Sequence, residues 1–234
     1  MPVGILTNAA AVFTGGILGT VFGKYLPQRL ITALQNIFGI CAIAIGVTLI
    51  IKVQALTPVV LSIILGIVLG EAVDLDRWFG RLAKWLQGRF PARGPGLENE
   101  NIPAQFISLL MLVCTASTGI LGAMTEGLTG DPEILFAKAV LDFFTVAIFA
   151  VSLGWLSTVI SVPFLIVDLA VFAMADGLSL FATQEVIGDF MACGGIITFS
   201  TGLRVCKIKE IKVANLLPAL LIIIPVAFLW HQYM

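Results

Sequence analysis

Charge is scarce in this chain, so the few ionisable residues that interrupt its apolar runs mark where chemistry would sit. Asp and Glu number 14 and Lys and Arg 13 among 234 residues, and most fall between the runs. Asp142, Asp168 and Asp189 fall inside them. A charge within a membrane-spanning segment costs several kcal/mol and is retained where it binds or moves something. Lys138 stands one helical turn before Asp142, so the two can pair along one helix. The same spacing suits a cation or proton site whose occupancy the lysine modulates. Asp168 has no base near it in sequence and requires a partner, a water cavity or an ion. Asp189 lies four residues into its run, within reach of the interface. These four are the candidate cation-binding residues.

A second group consists of small polar residues beside glycines. Asn8 and Thr14 precede Gly15-Gly16, and Thr115, Ser117 and Thr118 precede Gly119. Such patches can mark unwound helix whose carbonyls and half-helix ends bind substrate, or hydroxyls bonding back to their own helix. Both readings stand, and the five residues are the candidate substrate-binding set. No nucleophile–base pair, metal-ligand cluster or phosphate loop occurs, so no catalytic residue, metal site or cofactor is expected, and the chain does not read as an enzyme. His231, beside Trp230 and Tyr233, reads as part of an interfacial belt. Cys41, Cys114 and Cys193 read as small packing residues.

The elements that must position these groups follow from composition. Hydrophobic residues make up 59% and charged residues 12%, against roughly 45–50% and about 25% in soluble domains. Net charge is −1, which offers no basic field for nucleic acid. The chain reads as an all-α polytopic membrane protein of about eight spans: 3–22, 31–51, 56–73, 104–125, 134–153, 155–175, 185–203 and 213–231. A seven-span reading is the fallback, because only Gly154 and its neighbours separate the fifth and sixth runs in a tight hairpin. The N-terminus lacks the basic region of a cleavable signal peptide.

Of the 13 Lys and Arg residues, only Lys52 and Lys138 fall on one side of this arrangement. The positive-inside bias places both termini outside and the 74–103 and 204–212 loops in the cytoplasm. Within the longer loop, Leu75, Trp78, Phe79, Leu82, Trp85 and Leu86 follow helical spacing, with Arg77, Arg81 and Lys84 between them. Residues 74–90 therefore read as an amphipathic helix on the membrane surface, and 91–103 as a flexible linker. Glu126, Asp131, Glu133, Asp176 and Glu185 read as solvated acids of the outer rim.

Gly16-Ile17-Leu18-Gly19 recurs as Gly119-Ile120-Leu121-Gly122. Spans one to three thus resemble spans four to six, and an odd number of spans makes the repeat inverted, as in many secondary transporters. The expected organisation is a first three-span unit (1–73), the cytoplasmic helix and linker (74–103), a second three-span unit (104–176) and a two-span extension (177–234). Gly39 and Gly46 in span two are echoed by Gly195 and Gly202 in span seven, where small residues let helices approach closely. Pro163 is expected to kink span six and free a carbonyl near Asp168.

Several segments, in order, carry a resemblance: Asn8 with Gly15-Gly16, Leu65–Glu71, Gly127–Asp131, Lys138 with Leu141-Asp142, Gly194-Gly195 with Gly202-Leu203, and Val213–Leu220. Together they resemble the bacterial membrane family catalogued as domain of unknown function 554, whose members are commonly labelled transport proteins. Arg204, where the pattern suggests Asn, and Asp189, where it suggests a small neutral residue, depart from it. The resemblance implies a multi-pass protein of the bacterial inner membrane. The function read from it and from the intramembrane charges is secondary transport of a small solute or ion coupled to H⁺ or Na⁺. The alternatives are an ion channel or a membrane-embedded partner or sensor without flux. The expected partners are the lipid bilayer and the small solute or ion, with a homo-oligomer compatible with either.

Overall fold

The computed structural model describes residues 1–25, 27–89, 102–114, 117–175, 177 and 183–233. Every regular element among them is helical. Hydrocarbon offers no partner for N–H and C=O groups, so apolar runs of this length satisfy them internally. Eight stretches among the described residues are long and apolar enough to cross a membrane. Each overlaps one of the expected spans, and the seven-span fallback is set aside.

The elements are α1 (Val3–Phe22), α2 (Gln28–Ile50), α3 (Leu56–Val73), α4 (Leu75–Arg89), α5 (Ile102–Cys114), α6 (Ser117–Thr129), α7 (Glu133–Leu153), α8 (Leu156–Val159), α9 (Ser161–Ala173), α10 (Gln184–Val205) and α11 (Pro218–Tyr233). Pro27 and Pro132 stand immediately before α2 and α7, where a missing N–H and a fixed φ cost nothing. Thr183 caps α10, its hydroxyl accepting from the Val186 N–H. Gly154 turns α7 into α8 with φ 59° and ψ −143°, a backbone region open essentially to glycine alone. That is how two spans meet with almost no loop.

Two spans are segmented among the described residues. The eighth opens with a 3-10 turn (Val213–Leu216) before α11. The sixth turns at Ile160, between α8 and α9. This corrects the expectation about Pro163, which lies in the first turn of α9 rather than mid-helix. The carbonyl that its missing N–H leaves unmatched is that of Val159, well over two turns from Asp168.

Close contacts set the packing. Gly4 meets Leu135, and Gly23 meets Val151, so α1 and α7 run parallel. Gly39 meets Gly202 and Gly46 meets Gly195, so α2 and α10 run antiparallel. Gly66 meets Ala219 and Gly70 meets Asn215, so α3 runs antiparallel to the last span. A Cβ at Gly19 would overlap the Ala147 carbonyl, so α1 can lie this close to α7 only with glycine there. Both Gly-Ile-Leu-Gly segments face α7: Gly19 meets Ala147 and Ala150, while Gly119 meets Lys138 and Gly122 meets Leu135.

The amphipathic helix α4 is docked on the bundle rather than merely laid on a lipid surface. Ala83 and Leu86 are buried, and Leu75, Phe79 and Leu82 pack against the cluster formed by Phe106, Ile107 and Val213. Trp78 and Trp85, which helical spacing groups with the apolar face, are 52% and 65% exposed and not part of the packing on the bundle. The rest of the surface is apolar. Phe13, Ile40, Ile64, Val68, Leu141, Ile166 and Leu221 stand exposed along the spans, while Asn8, Glu126, Lys138, Asp142, Asp168, Asp189 and Asn215 are buried. An apolar exterior around a polar interior suits lipid, not water.

Candidate functional site

Four of the residues singled out by type converge in the interior. Asn8 of α1 is 0% exposed, Lys138 and Asp142 of α7 are 4% and 7%, and Asp168 of α9 is 1%. The Lys138 ammonium forms a close ion pair with Asp142 Oδ2. The same oxygen accepts from Asn8 Nδ2 at 3.1 Å. The ammonium also donates to the Val113 carbonyl, in the last turn of α5, at 3.2 Å. It lies 5.0 Å from the centre of the Phe164 ring, whose face attracts a cation. Asp168 follows Phe164 by one turn on the same face of α9 and feels the charges of both Lys138 and Asp142. Gly119 of α6 packs on the lysine stem. Five helices thus surround one ammonium and two carboxylates.

Hydrogen bonding at the cluster is incomplete. Asp168 Oδ2 and Asn8 Oδ1 are buried with no partner among the described residues. A buried acceptor without a donor costs its full desolvation penalty, and a second carboxylate beside a single ammonium needs a further positive charge. Chemically, the unpaired carboxylate of Asp168 is suited to take up a proton or a small cation.

The other predicted residues lie elsewhere. Asp189 is buried, but outside this cluster: its Oδ1 accepts from the N–H groups of Gln54 and Ala55, each at 2.8 Å. Its Oδ2 lies 2.8 Å from His231 Nε2. One carboxylate therefore ties the α2–α3 turn, α10 and α11 together. The interfacial reading of His231 omitted this bond, which joins residues 42 apart in sequence. Thr14 is exposed on the lipid side and its hydroxyl donates to the Ala10 carbonyl at 2.7 Å, so it turns away from the cluster. Thr118 is half-buried. Thr115 and the side chain of Ser117 lie outside the described residues.

Two polar arrangements had no signal in sequence. Glu126, read as a solvated rim acid, is buried; its two oxygens accept from Gly4 N–H at 2.7 Å and Ile5 N–H at 3.2 Å. It caps the start of α1, where a carboxylate meets orphan N–H groups and the positive end of the helix dipole. At the opposite end of the molecule, Arg204 of α10 pairs with Asp76 of α4 at 2.9 Å. Asn215 Oδ1 accepts from the Asp76 N–H at 2.8 Å, and Lys212 pairs with Glu71 at 2.8 Å. The hydrogen bond to Glu71 holds the Lys212 ammonium above its ordinary range. The two contacts of Asp76 fasten α4 beneath the spans, and the Lys212–Glu71 pair ties the loop after α10 to α3.

Eight apolar helices, an apolar exterior and a buried ionic cluster define an integral, multi-pass membrane protein. The chain belongs to the family described as "Protein of unknown function (DUF554)", which matches residues 3–228. It is 39% identical to "Uncharacterized protein YqgA" of Escherichia coli (strain K12) over 233 residues, covering 100% of this chain and 99% of that one. It is 25% identical to "Uncharacterized membrane protein YdfK" of Bacillus subtilis (strain 168), covering 98% of this chain and 97% of that one. No solved structure matches the chain significantly.

Proposed function

We propose that the chain is a secondary transporter of the bacterial inner membrane, with both termini extracytoplasmic, and that the Lys138–Asp142–Asp168 cluster is its coupling-cation site. One observation carries the reading: the single ammonium of Lys138 pairs with Asp142, Asp168 lies within electrostatic reach of both without an ion pair of its own among the described residues, and Asp168 Oδ2 and Asn8 Oδ1 have no partner there. A packing network would satisfy all its members; this one retains capacity for a cation. A proton fits best, because Lys138 already occupies the position between Asp142 and the Val113 carbonyl that a Na⁺ would take. Protonation of Asp168 would leave Lys138 and Asp142 as a neutral pair. Loss of the proton would leave net negative charge, and that difference would favour different packings of α7 against α9. No catalytic role is assigned to any residue.

The test is thermal unfolding of the detergent-purified protein across pH and in NaCl, KCl and choline chloride. Wild type, Asp142→Asn and Asp168→Asn are compared, with a panel of small metabolites added. A ligand at about 100 times its Kd adds about 2.7 kcal/mol of stability. The expected result is a pH-dependent melting temperature that Asp168→Asn flattens, and a stabilising solute whose uptake into liposomes follows an imposed proton gradient. Indifference of all three proteins to pH, ions and solutes would instead support a partner or sensor without flux.

A further inference from the structure

A cavity of about 520 Å³ opens between α2, α4, α5, α7, α10 and the loop after α10, within the roughly 300–1,000 Å³ typical of small-molecule sites. It lies at the end of the molecule away from the termini. Its lining differs from the apolar groove beside Thr14 on the lipid face. Arg204, Lys207 and Lys212 face it, with Asp76 and Glu210 as the acidic members. Asp76 takes one of the five N–H donors of Arg204, and Lys212 is tied to Glu71. Lys207 has no carboxylate within ion-pair distance among the described residues. Positive residues at this end also follow from topology, so charge alone does not define a ligand.

The neutral lining does. Gln105 Oε1 is buried with no hydrogen-bond partner among the described residues. Ser108 spends its proton on the Ala104 carbonyl at 2.9 Å and keeps only acceptor capacity. Gln35 commits one of its two Nε2 N–H donors to Ser152 at 2.9 Å and keeps its Oε1 as an acceptor. A ligand here meets cations on one side and waiting acceptors on another, with Phe149 and Ile211 as the apolar wall. Lys207 adds a further sign. It occupies the left-handed position after α10, with φ 56°, where Ile208 N–H reaches back to the Leu203 carbonyl at 3.0 Å. Glycine is the favoured residue at that point of a helix end, yet a lysine is held there, facing the cavity.

We propose that this cavity binds a small carboxylate that also carries a hydroxyl or amino donor. Arg204 and Lys207 hold the carboxylate, the guanidinium fork suiting its two oxygens. Gln105 Oε1 receives the donor. Ser108 precedes Val113 by five residues on α5 and Phe149 follows Asp142 by seven on α7, about 7.5 and 10.5 Å along the helices. The cavity therefore approaches the buried cluster from one end. Binding is independent of the transport reading; only coupling of the bound acid to the cluster rests on it.

The test measures binding of L-malate, L-aspartate and succinate to the full-length protein in detergent, by calorimetry at matched ionic strength, with orthophosphate as the competing anion. The three acids share a four-carbon diacid skeleton and differ in the hydroxyl or amino donor. Saturable binding is expected, with malate or aspartate about tenfold tighter than succinate, the usual scale of one buried hydrogen bond. Gln105→Leu removes that preference, and Arg204→Gln weakens all three. Lys207→Gly weakens all three several-fold while leaving the unliganded melting temperature unchanged or higher, which keeps the test decisive if Arg204→Gln misfolds. Asp168→Asn retains binding. Absence of saturable binding, or equal binding in Lys207→Gly and wild type, overturns the site. Tighter orthophosphate binding overturns the carboxylate assignment, and equal affinity for the three acids overturns the role of Gln105. Malate or aspartate binding without proton-driven uptake would uphold the site and reject the transporter.

Discussion

At the scale of residues, Lys138 is the hinge of the buried chemistry. Among the described residues it is the cation paired with Asp142, and it also reaches the α5 backbone and lies against Phe164. Replacing it by methionine keeps most of the stem packed on Gly119 but leaves Asp142 without its ammonium. Breaking a buried pair from one side costs about 3–5 kcal/mol in soluble proteins, so Lys138→Met should unfold at markedly lower denaturant. Lys138→Met combined with Asp142→Asn should recover a good part of that loss, because the second change removes the unpaired charge. A denaturant titration of the three variants checks this; strictly additive losses would show that the two residues do not act as a pair. The helical spacing of Lys138 and Asp142 made this pair legible in advance. The Val113 carbonyl and the Phe164 ring were not legible, because no side-chain pattern announces which backbone oxygen or ring face a distant helix will present.

At the scale of elements, helix ends carry most of the polar work outside the cluster. Glu126 holds the first turn of α1 from 122 residues away. Removing a cap of this kind costs about 1–2 kcal/mol, so Glu126→Ala should destabilise by that amount and speed amide exchange over residues 4–6 while leaving α7 protected. The turn after α7 gives a sharper case. Gly154 holds a backbone conformation that no side chain tolerates, so Gly154→Val should cost about 1–3 kcal/mol and lower the yield of folded protein. Equal yield and stability would mean that the turn re-forms with different dihedrals. Segmentation of the spans was partly legible. Pro163 pointed to a bend in span six, but the turn lies three residues earlier, at Ile160, because proline perturbs the helix on its N-terminal side.

At the scale of the whole molecule, eight crossings bring both termini to one face. Cysteines placed at Asp131 and Gln232, in a background whose native cysteines are serine, should react with a membrane-impermeant thiol reagent in intact spheroplasts. A cysteine at Lys209 should react only after lysis. Reversed labelling would invert the orientation and place the Arg204 cavity outside. Length and hydropathy alone determined the eight spans, the helical class and the surface helix, because hydrocarbon leaves a backbone no alternative to internal hydrogen bonds. The scattered Lys138, Asp142 and Asp168 were conspicuous for the cost of charge in that solvent. Tertiary structure alone decided that α1 lies against α7, that Asn8 joins Asp142 while Asp189 is drawn off to Gln54, Ala55 and His231, and that Glu126 is a cap rather than a rim acid. Lipid and protein interior are similarly apolar, so the hydrophobic pattern of a span does not say which face meets a neighbour. That choice rests on glycine contacts and buried polar pairs between residues more than a hundred positions apart, which exist only once the helices have packed.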